Sequence, residues 1–135
     1  MAEQIYTGNA VDDGPQHGDW VLGHFMPAED PRHSQAVEIK WAVHPRGDKR
    51  PDWVTDEQRT AAIFLVSGRF RVDLPGQSVV LARPGDYVVF HGVSHSWVTE
   101  EDSTILCVRW PSLPGYANSA AASRGADKEG DPVPE

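Results

Sequence analysis

The sequence predicts an all-β domain built as an antiparallel sandwich or barrel. Short runs rich in β-branched and aromatic residues recur along the middle of the chain, at the spacing of about 8 to 12 residues that is typical of such folds. Gly or Pro residues separate these runs, and both residue types favour tight turns. No segment keeps a helical period over several turns, so we expect little helix beyond a turn near residues 55–59.

Each run predicts one strand in chain order. The second run, AVEIKWAVH, alternates strictly, with Val37, Ile39, Trp41 and Val43 on one face and Glu38, Lys40, Ala42 and His44 on the other; this is the period of a strand. An acidic turn, TEED, is expected between the last two runs. The predicted strands are residues 20–26, 36–44, 60–66, 69–74, 78–82, 87–90, 95–98 and 103–110.

Composition divides the chain into three parts. Residues 1–20 are polar and predict a flexible, extended N-terminal arm, and residues 21–112 hold the predicted strands. Residues 113–135 are rich in Ser, Ala, Gly, Pro and charge. Because so little apolar surface cannot offset the entropy of ordering, this segment is predicted to be a disordered tail.

Charge and length exclude several function classes. The 135 residues have a formal net charge of −8, which disfavours binding to nucleic acid or to anionic membranes. No apolar run approaches the length of a membrane span, and the N-terminus lacks the pattern of a signal peptide. Cys107 is the only cysteine, so no internal disulfide is possible. We therefore expect a soluble, cytoplasmic protein with no nucleic-acid or membrane partner.

Three motifs between residues 37 and 112 resemble those of small single-domain cupins. VHPRG is similar to a strand-end turn of that family, and IFLVSGRFRVDL is similar to the piece that closes its first motif. LARPGDYVVFHGVSHSW is similar to the second motif, in which a Gly-Asp turn leads to a bend and then a histidine. The resemblance implies a cupin-type double-stranded β-barrel, or jelly roll, with a pocket at one mouth.

The resemblance also implies where a metal would bind. Metal-binding cupins take two histidines and a glutamate from the first motif and one histidine from the second. Those first-motif positions fall here on Thr55, Glu57 and Ala61, or after a shift on Val54, Asp56 and Thr60. Only the second-motif histidine, His95, is kept. We therefore predict no bound cofactor; a divalent metal, if held, would take His95, His91 and Glu57.

The pocket itself predicts a small-molecule site. Because His95 and Trp97 are two residues apart on a strand, their side chains point the same way, and aromatic walls suit flat rings. His95 is the candidate acid–base residue, with Glu57 as its partner, whereas Cys107 reads as a buried small hydrophobe. The candidate ligand-binding residues are Trp41, His44, Phe64, His91, Trp97 and Arg109, and Phe90 is a further candidate wall.

Three functions remain open from the sequence. The first is a metal-independent cupin that binds a small aromatic or polycyclic metabolite, as a carrier or as an accessory enzyme of the isomerase, cyclase or dehydratase type in bacterial metabolism. The second is a metal-dependent oxygenase or isomerase with an atypical ligand set, and the third is a non-catalytic interaction or regulatory module. Whether the protein is an enzyme stays open. A homodimer is expected, formed by adding residues 20–26 to the partner's sheet.

Overall fold

The architecture is an antiparallel sheet of six strands that folds over on itself, seen in a computed structural model that describes residues 4–55 and 57–113. A short helix α1 (Ala10–Asp13) and a 3-10 turn (Gly14–His17) precede the sheet. The strand order is β1-β2-β6-β3-β4, and β5 also pairs with β3. The strands are β1 (Trp20–Leu22), β2 (Glu38–His44), β3 (Thr60–Leu74), β4 (Gln77–Leu81), β5 (Tyr87–His91) and β6 (Ser96–Trp110).

The two longest strands, β3 and β6, pass through both layers of the fold. Residues 60–64 of β3 pair with β5, and residues 70–74 pair with β4. On the other edge β3 pairs with β6, whose residues 103–109 also pair with β2. Side chains from both halves of these strands meet in one core, which includes Ile63, Phe70 and Trp97. The predicted all-β jelly-roll barrel is thereby confirmed.

A bulge bends β3 and β6 together. The β3–β6 register shifts between Leu65 and Phe70, and Gly68 lies there at a φ of +102°. Any Cβ at Gly68 would clash with the carbonyl oxygen of Asp102 and with Ser103, so only glycine fits. The sequence pattern predicted two separate strands where the structure has the continuous strand β3. It also predicted a turn at TEED, which is in fact part of the continuous strand β6.

The inner face of β2 is mostly polar. Glu38, Lys40 and His44 are buried, while Val43 on the opposite face is 60% exposed. The alternation predicted from the sequence is correct. Hydrophobicity, however, would place the apolar residues of β2 inside, whereas in the structure the charged side chains point inward. This inversion brings the polar groups of the candidate site into the barrel.

The N-terminal region also differs from expectation. The first strand ends at Leu22 rather than at residue 26, because its register with β2 already shifts between Trp20 and Leu22. The arm, predicted to be extended, contains α1, whose first turn is capped by the Asn9 side chain. None of the described helices is long or apolar enough to cross a membrane. The predicted disordered tail falls almost wholly on residues 114–135, outside the described residues.

Candidate functional site

Four charged side chains form a buried ion-pair cluster, which consists of Glu38, Glu57, Arg59 and Arg109. Arg59 donates from Nη1 to Glu38 (2.9 Å) and from Nε and Nη2 to the two oxygens of Glu57 (2.7 and 2.8 Å). Arg109 forms an ion pair with Glu38. Buried charges are tolerable only when they are paired and hydrogen-bonded in this way.

The cluster is also tied to two residues outside the strands, His24 and Ser112. The Ser112 hydroxyl donates to the second oxygen of Glu38 (2.8 Å) and lies 2.6 Å from Nδ1 of His24. Because that hydroxyl hydrogen goes to Glu38, Nδ1 of His24 must carry a proton to complete the second bond. Burial lowers the pKa of His24 and outweighs the charge of Glu38, which would raise it. The neutral tautomer with the proton on Nδ1 is therefore the form that fits this hydrogen-bond network.

A small cavity lies beside the cluster, between the two layers. Its volume is about 20 Å³, which is roughly the space that one water molecule needs. Arg109 brings the cluster to the cavity wall, and the Arg109 guanidinium stacks 4.3 Å from the centre of the Trp20 ring. The lining residues are Trp20, Lys40, Ala61, Ile63, Phe90, His95, Trp97, Ile105, Cys107 and Arg109.

His95 lies on this wall together with Trp97, on the same side of the chain as the two-residue spacing predicts. Its backbone forms an isolated bridge to Val54, which fixes the segment just before β6. The ring packs against Phe90, with centroids 4.7 Å apart, and its Nδ1 lies 3.4 Å from the carbonyl of Val93. Burial lowers the pKa of His95 to about 4, so the imidazole is neutral at pH 7.

Glu57 lies close enough to His95 for its charge to act on the imidazole, but it is held by another residue. Burial alone would raise the pKa of Glu57, yet hydrogen bonds and the charge of Arg59 outweigh it and lower the pKa below its ordinary value. The carboxylate also accepts from the backbone N–H of Arg59 (3.0 Å). Glu57 is therefore an anion bound to a guanidinium at neutral pH.

Four of the residues predicted to bind a ligand do not line this cavity. Trp41 and Phe64 point outward from β2 and β3, the latter stacked on Tyr87. His91 is exposed and lies 2.7 Å from the Thr60 hydroxyl. The ring of His44 contacts Trp97, and its Nδ1 lies 2.6 Å from Asp48. Trp97 and Arg109 are the two that do line it.

Sequence reasoning missed the apolar wall residues Trp20, Ala61, Ile63 and Ile105. No local signal marks Trp20, since it lies on a strand of three residues. Lys40 is recognisable from the sequence as a charged group within an apolar strand, which could orient a ligand, and it does line the cavity.

The chain does not fit the metal site that the cupin resemblance implies. Ala61, at the position of the family's glutamate, supplies no ligand atom, and both oxygens of Glu57 are engaged by Arg59. His95 and His91 do not converge, because His95 is buried at the cavity and His91 is exposed on β5. Within residues 4–55 and 57–113, no group of three His, Cys, Asp or Glu side chains could hold a metal ion. Asp56 lies outside the described residues.

Solved structures with a similar architecture include proteins described as cupins. KdgF from Halomonas sp. is 26% identical, with 60% of this chain and 75% of that chain covered and a TM-score of 0.53. An RmlC-like cupin from Desulfovibrio desulfuricans is 17% identical (59% and 76% covered, TM-score 0.52), and a cupin from Bacteroides fragilis is 20% identical (60% and 72% covered, TM-score 0.50). No family model and no curated protein matches the sequence. The chain therefore contains a small domain with the cupin fold.

Proposed function

We propose that this domain binds a small, flat, ring-containing molecule in the cavity beside His95, without the help of a metal ion. The observation that carries the proposal is the composition of the cavity wall. Three aromatic rings (Trp20, Phe90 and Trp97) line it, with the neutral imidazole of His95 as a hydrogen-bonding group. An apolar pocket with few polar groups is the usual form of a small-molecule site.

The size of the cavity limits the ligand. A space of about 20 Å³ does not admit a ring unless part of the wall moves. Trp20 is only weakly held by strand pairing, because β1 has three residues and a register shift against β2. We therefore propose that displacement of Trp20 opens the site to a single ring, and that the larger polycyclic ligands considered from the sequence are disfavoured.

Binding is better supported than acid–base catalysis. An isomerase or dehydratase needs one group that gives a proton and one that takes it near neutral pH. The pKa of His95 is lowered to about 4, and that of Glu57 is also lowered, so both groups are deprotonated at pH 7. Neither residue is poised to donate a proton, so the pair supports hydrogen bonding to a ligand more than turnover.

The test is calorimetry and thermal shift with a panel of single-ring aromatic carboxylates and their neutral analogues. We expect a compound that raises the melting temperature of the wild type and of Trp53→Leu, whose tryptophan is 44% exposed, but not of Trp97→Leu. Equal binding by Trp97→Leu would place the ligand elsewhere. Uptake of one iron, manganese, nickel or zinc ion per chain that is lost in His95→Gln would overturn the metal-independent proposal.

A further inference from the structure

A second cavity lies on the outer side of β1, between the N-terminal arm and the body of the domain, and we name it the arm pocket. Trp20 and Val21 are neighbours on β1, so their side chains point to opposite sides. Trp20 faces the cavity beside His95, and Val21 faces the arm pocket. The arm pocket has a volume of about 220 Å³ and shares no lining residue with the inner cavity. Its lining residues are Tyr6, Gly8, Ala10, Asp13, Val21 and Arg32.

Tyr6 holds the arm against the rest of the domain. Its hydroxyl donates to Oδ2 of Asp13 (2.7 Å), and the guanidinium of Arg32 lies over its ring, 3.9 Å from the centre. The hydrogen bond to Asp13 raises the pKa of Tyr6, so the hydroxyl keeps its proton and remains the donor. Gly8 lies so close that a Cβ there would overlap Oδ2 of Asp13 and the ring of Tyr6. The missing side chain at position 8 is therefore part of the fit between these groups.

The charges at the arm pocket do not balance. Arg32 is neutralised by Asp30, to which it donates from Nε (3.0 Å), from Nη2 (2.7 Å) and from its backbone N–H (2.8 Å). These bonds lower the pKa of Asp30 to about 2, so the pair is ionised at neutral pH. Among the described residues, the Asp13 carboxylate accepts only the neutral hydroxyl of Tyr6 and forms no ion pair. The wall therefore has one carboxylate whose charge is not compensated.

The arm is ordered with little burial to support it. The helix α1 contains no buried residue, and the apolar side chains of Ile5 and Val11 are 74% and 58% exposed. Fixing the backbone of each residue costs conformational entropy, and polar contacts at the surface offset little of that cost. A ligand that touches both sides of the arm pocket supplies contacts that the arm lacks.

We propose that the arm pocket binds a small organic cation, a primary amine with a short apolar chain, and that this ligand holds the arm in place. The ammonium group donates to the carboxylate of Asp13, and a hydrogen bond between two ionised groups is among the stronger polar contacts. Ala10 and Val21 cover the apolar chain. A volume of about 220 Å³ is below the roughly 300 Å³ at which sites for drug-sized ligands begin, so the amine is small. An anion of the same size is repelled by Asp13.

The experiment is isothermal titration calorimetry of the full chain with n-butylamine and n-hexylamine, which are cations at neutral pH. The neutral and anionic counterparts are 1-butanol and butyrate, and we expect both to bind at least about tenfold more weakly than n-butylamine. In Asp13→Asn the dissociation constant of the amines should rise at least about tenfold, because the charge-assisted hydrogen bond is lost. The matched control is Asp12→Asn, which removes the same charge from the neighbouring exposed position of α1 and should bind as the wild type does.

Gly8→Ala provides a second variant. Gly8 does not have a positive φ, so alanine adds no backbone strain there, but its Cβ displaces the Asp13 carboxylate and the Tyr6 ring. This variant should also bind the amines more weakly. Melting temperatures of the variants separate loss of binding from unfolding, and Gly8→Ala replaces Asp13→Asn if the latter unfolds.

NMR locates the ligand. Chemical-shift changes on adding n-hexylamine should centre on the backbone N–H groups of Gly8, Ala10 and Val21, and the amine should slow proteolysis of the arm. Changes centred on His95 would place the amine in the inner cavity and would overturn the proposal. Amine binding that Asp13→Asn leaves unchanged, or that 1-butanol equals, would also overturn it, as would no binding of either amine at about 10 mM.

Discussion

At the scale of single residues, the buried histidine and carboxylates decide how stability responds to pH. The neutral state of His95 follows from burial, and the anionic state of Glu57 follows from Arg59. Both are properties of the fold and not of the residue types. They can therefore be tested by measuring stability as well as by measuring binding.

His95 should make the protein less stable in mild acid. The unfolded chain binds a proton on this ring near pH 6.5, whereas the folded protein binds it only near pH 4. The free energy of unfolding should therefore fall by an amount on the order of 3 kcal/mol between about pH 6.5 and about pH 4, and then flatten. Urea unfolding across this range measures the slope.

The matched variant for that prediction is His95→Gln, which should lack this part of the slope. Glu57 should also reduce the free energy of unfolding, but only as the pH falls through and below 4.5. This is its ordinary pKa, and its pKa in the folded protein is lower. NMR titration of His95 gives an independent reading. A pKa of about 6.5 for this ring would show that it is solvated and would contradict its place on the cavity wall.

The ion-pair cluster predicts a large cost for removing Glu38. Glu38→Ala leaves Arg59 and Arg109 buried without their shared carboxylate, and breaking a buried pair costs about 3 to 5 kcal/mol. Glu100→Ala is the control, because its pair with Arg69 is half-exposed and should contribute less than about 1 kcal/mol. Equal losses in urea unfolding would mean that the cluster is not buried in solution.

At the scale of the elements, the shared bulge of β3 and β6 decides whether the sheet can fold over. Gly68 is the residue on which it depends, because its backbone lies at a positive φ and against Asp102 and Ser103. The neighbouring strands then diverge, so that β5 and β4 can pair with different halves of β3.

Gly68→Ala should therefore unfold or strongly destabilise the domain, by more than about 3 kcal/mol, since steric overlap adds to backbone strain. Gly76→Ala is the control: its φ is +75°, but a Cβ there meets nothing within 4 Å. Strain alone should cost about 1 to 2 kcal/mol at that position. Similar melting temperatures for the two variants would contradict the close approach at Gly68.

The same elements show how far the sequence predicted the fold. Periodicity and turn residues located three of the eight predicted strands (36–44, 78–82 and 87–90) within two residues at both ends, and four others as parts of β3 and β6, because alternation and Pro-Gly pairs are local signals. The continuity of β3 and β6 could not be predicted, since the bulge at Gly68 depends on contacts between residues 34 or more positions apart. The inward direction of Glu38 and Lys40 was also hidden, because a period of two does not say which face is inside.

For the candidate site, the spacing of His95 and Trp97 correctly predicted that their side chains point to the same side. The ion-pair partners of Glu57 and Glu38 could not be predicted from spacing in the same way. Arg59 holds Glu57 from two residues away and Glu38 from 21 away, and only the second contact requires the tertiary fold. Trp41 and Phe64 were attractive as wall residues because they are aromatic. Their strands, however, place them on the outer face of the sheet.

At the scale of the whole molecule, one core side chain reports opening of the barrel. Cys107 is buried on β6 at the cavity wall, and burial raises the pKa of its thiol. A thiol in this state reacts slowly, because the thiolate is the reactive form.

Labelling of Cys107 by a thiol reagent should therefore follow the opening of the domain rather than the chemistry of an exposed thiol. We expect native protein to react at least about a hundredfold more slowly than protein unfolded in urea, with a rate that rises in the destabilised Glu38→Ala variant. A ligand bound in the cavity should slow it further. Fast labelling of the native wild type would show that the cavity already opens to solvent.

The inverted strand β2 has a consequence for how this protein can change. Its even-numbered residues, 38 to 44, are buried, whereas its odd-numbered residues are half-buried or exposed. Random substitution along these seven residues should therefore impair folding mainly at the even-numbered positions, although the residues there are mostly polar. A variant library of this single strand would show that polarity alone does not tell which positions tolerate change.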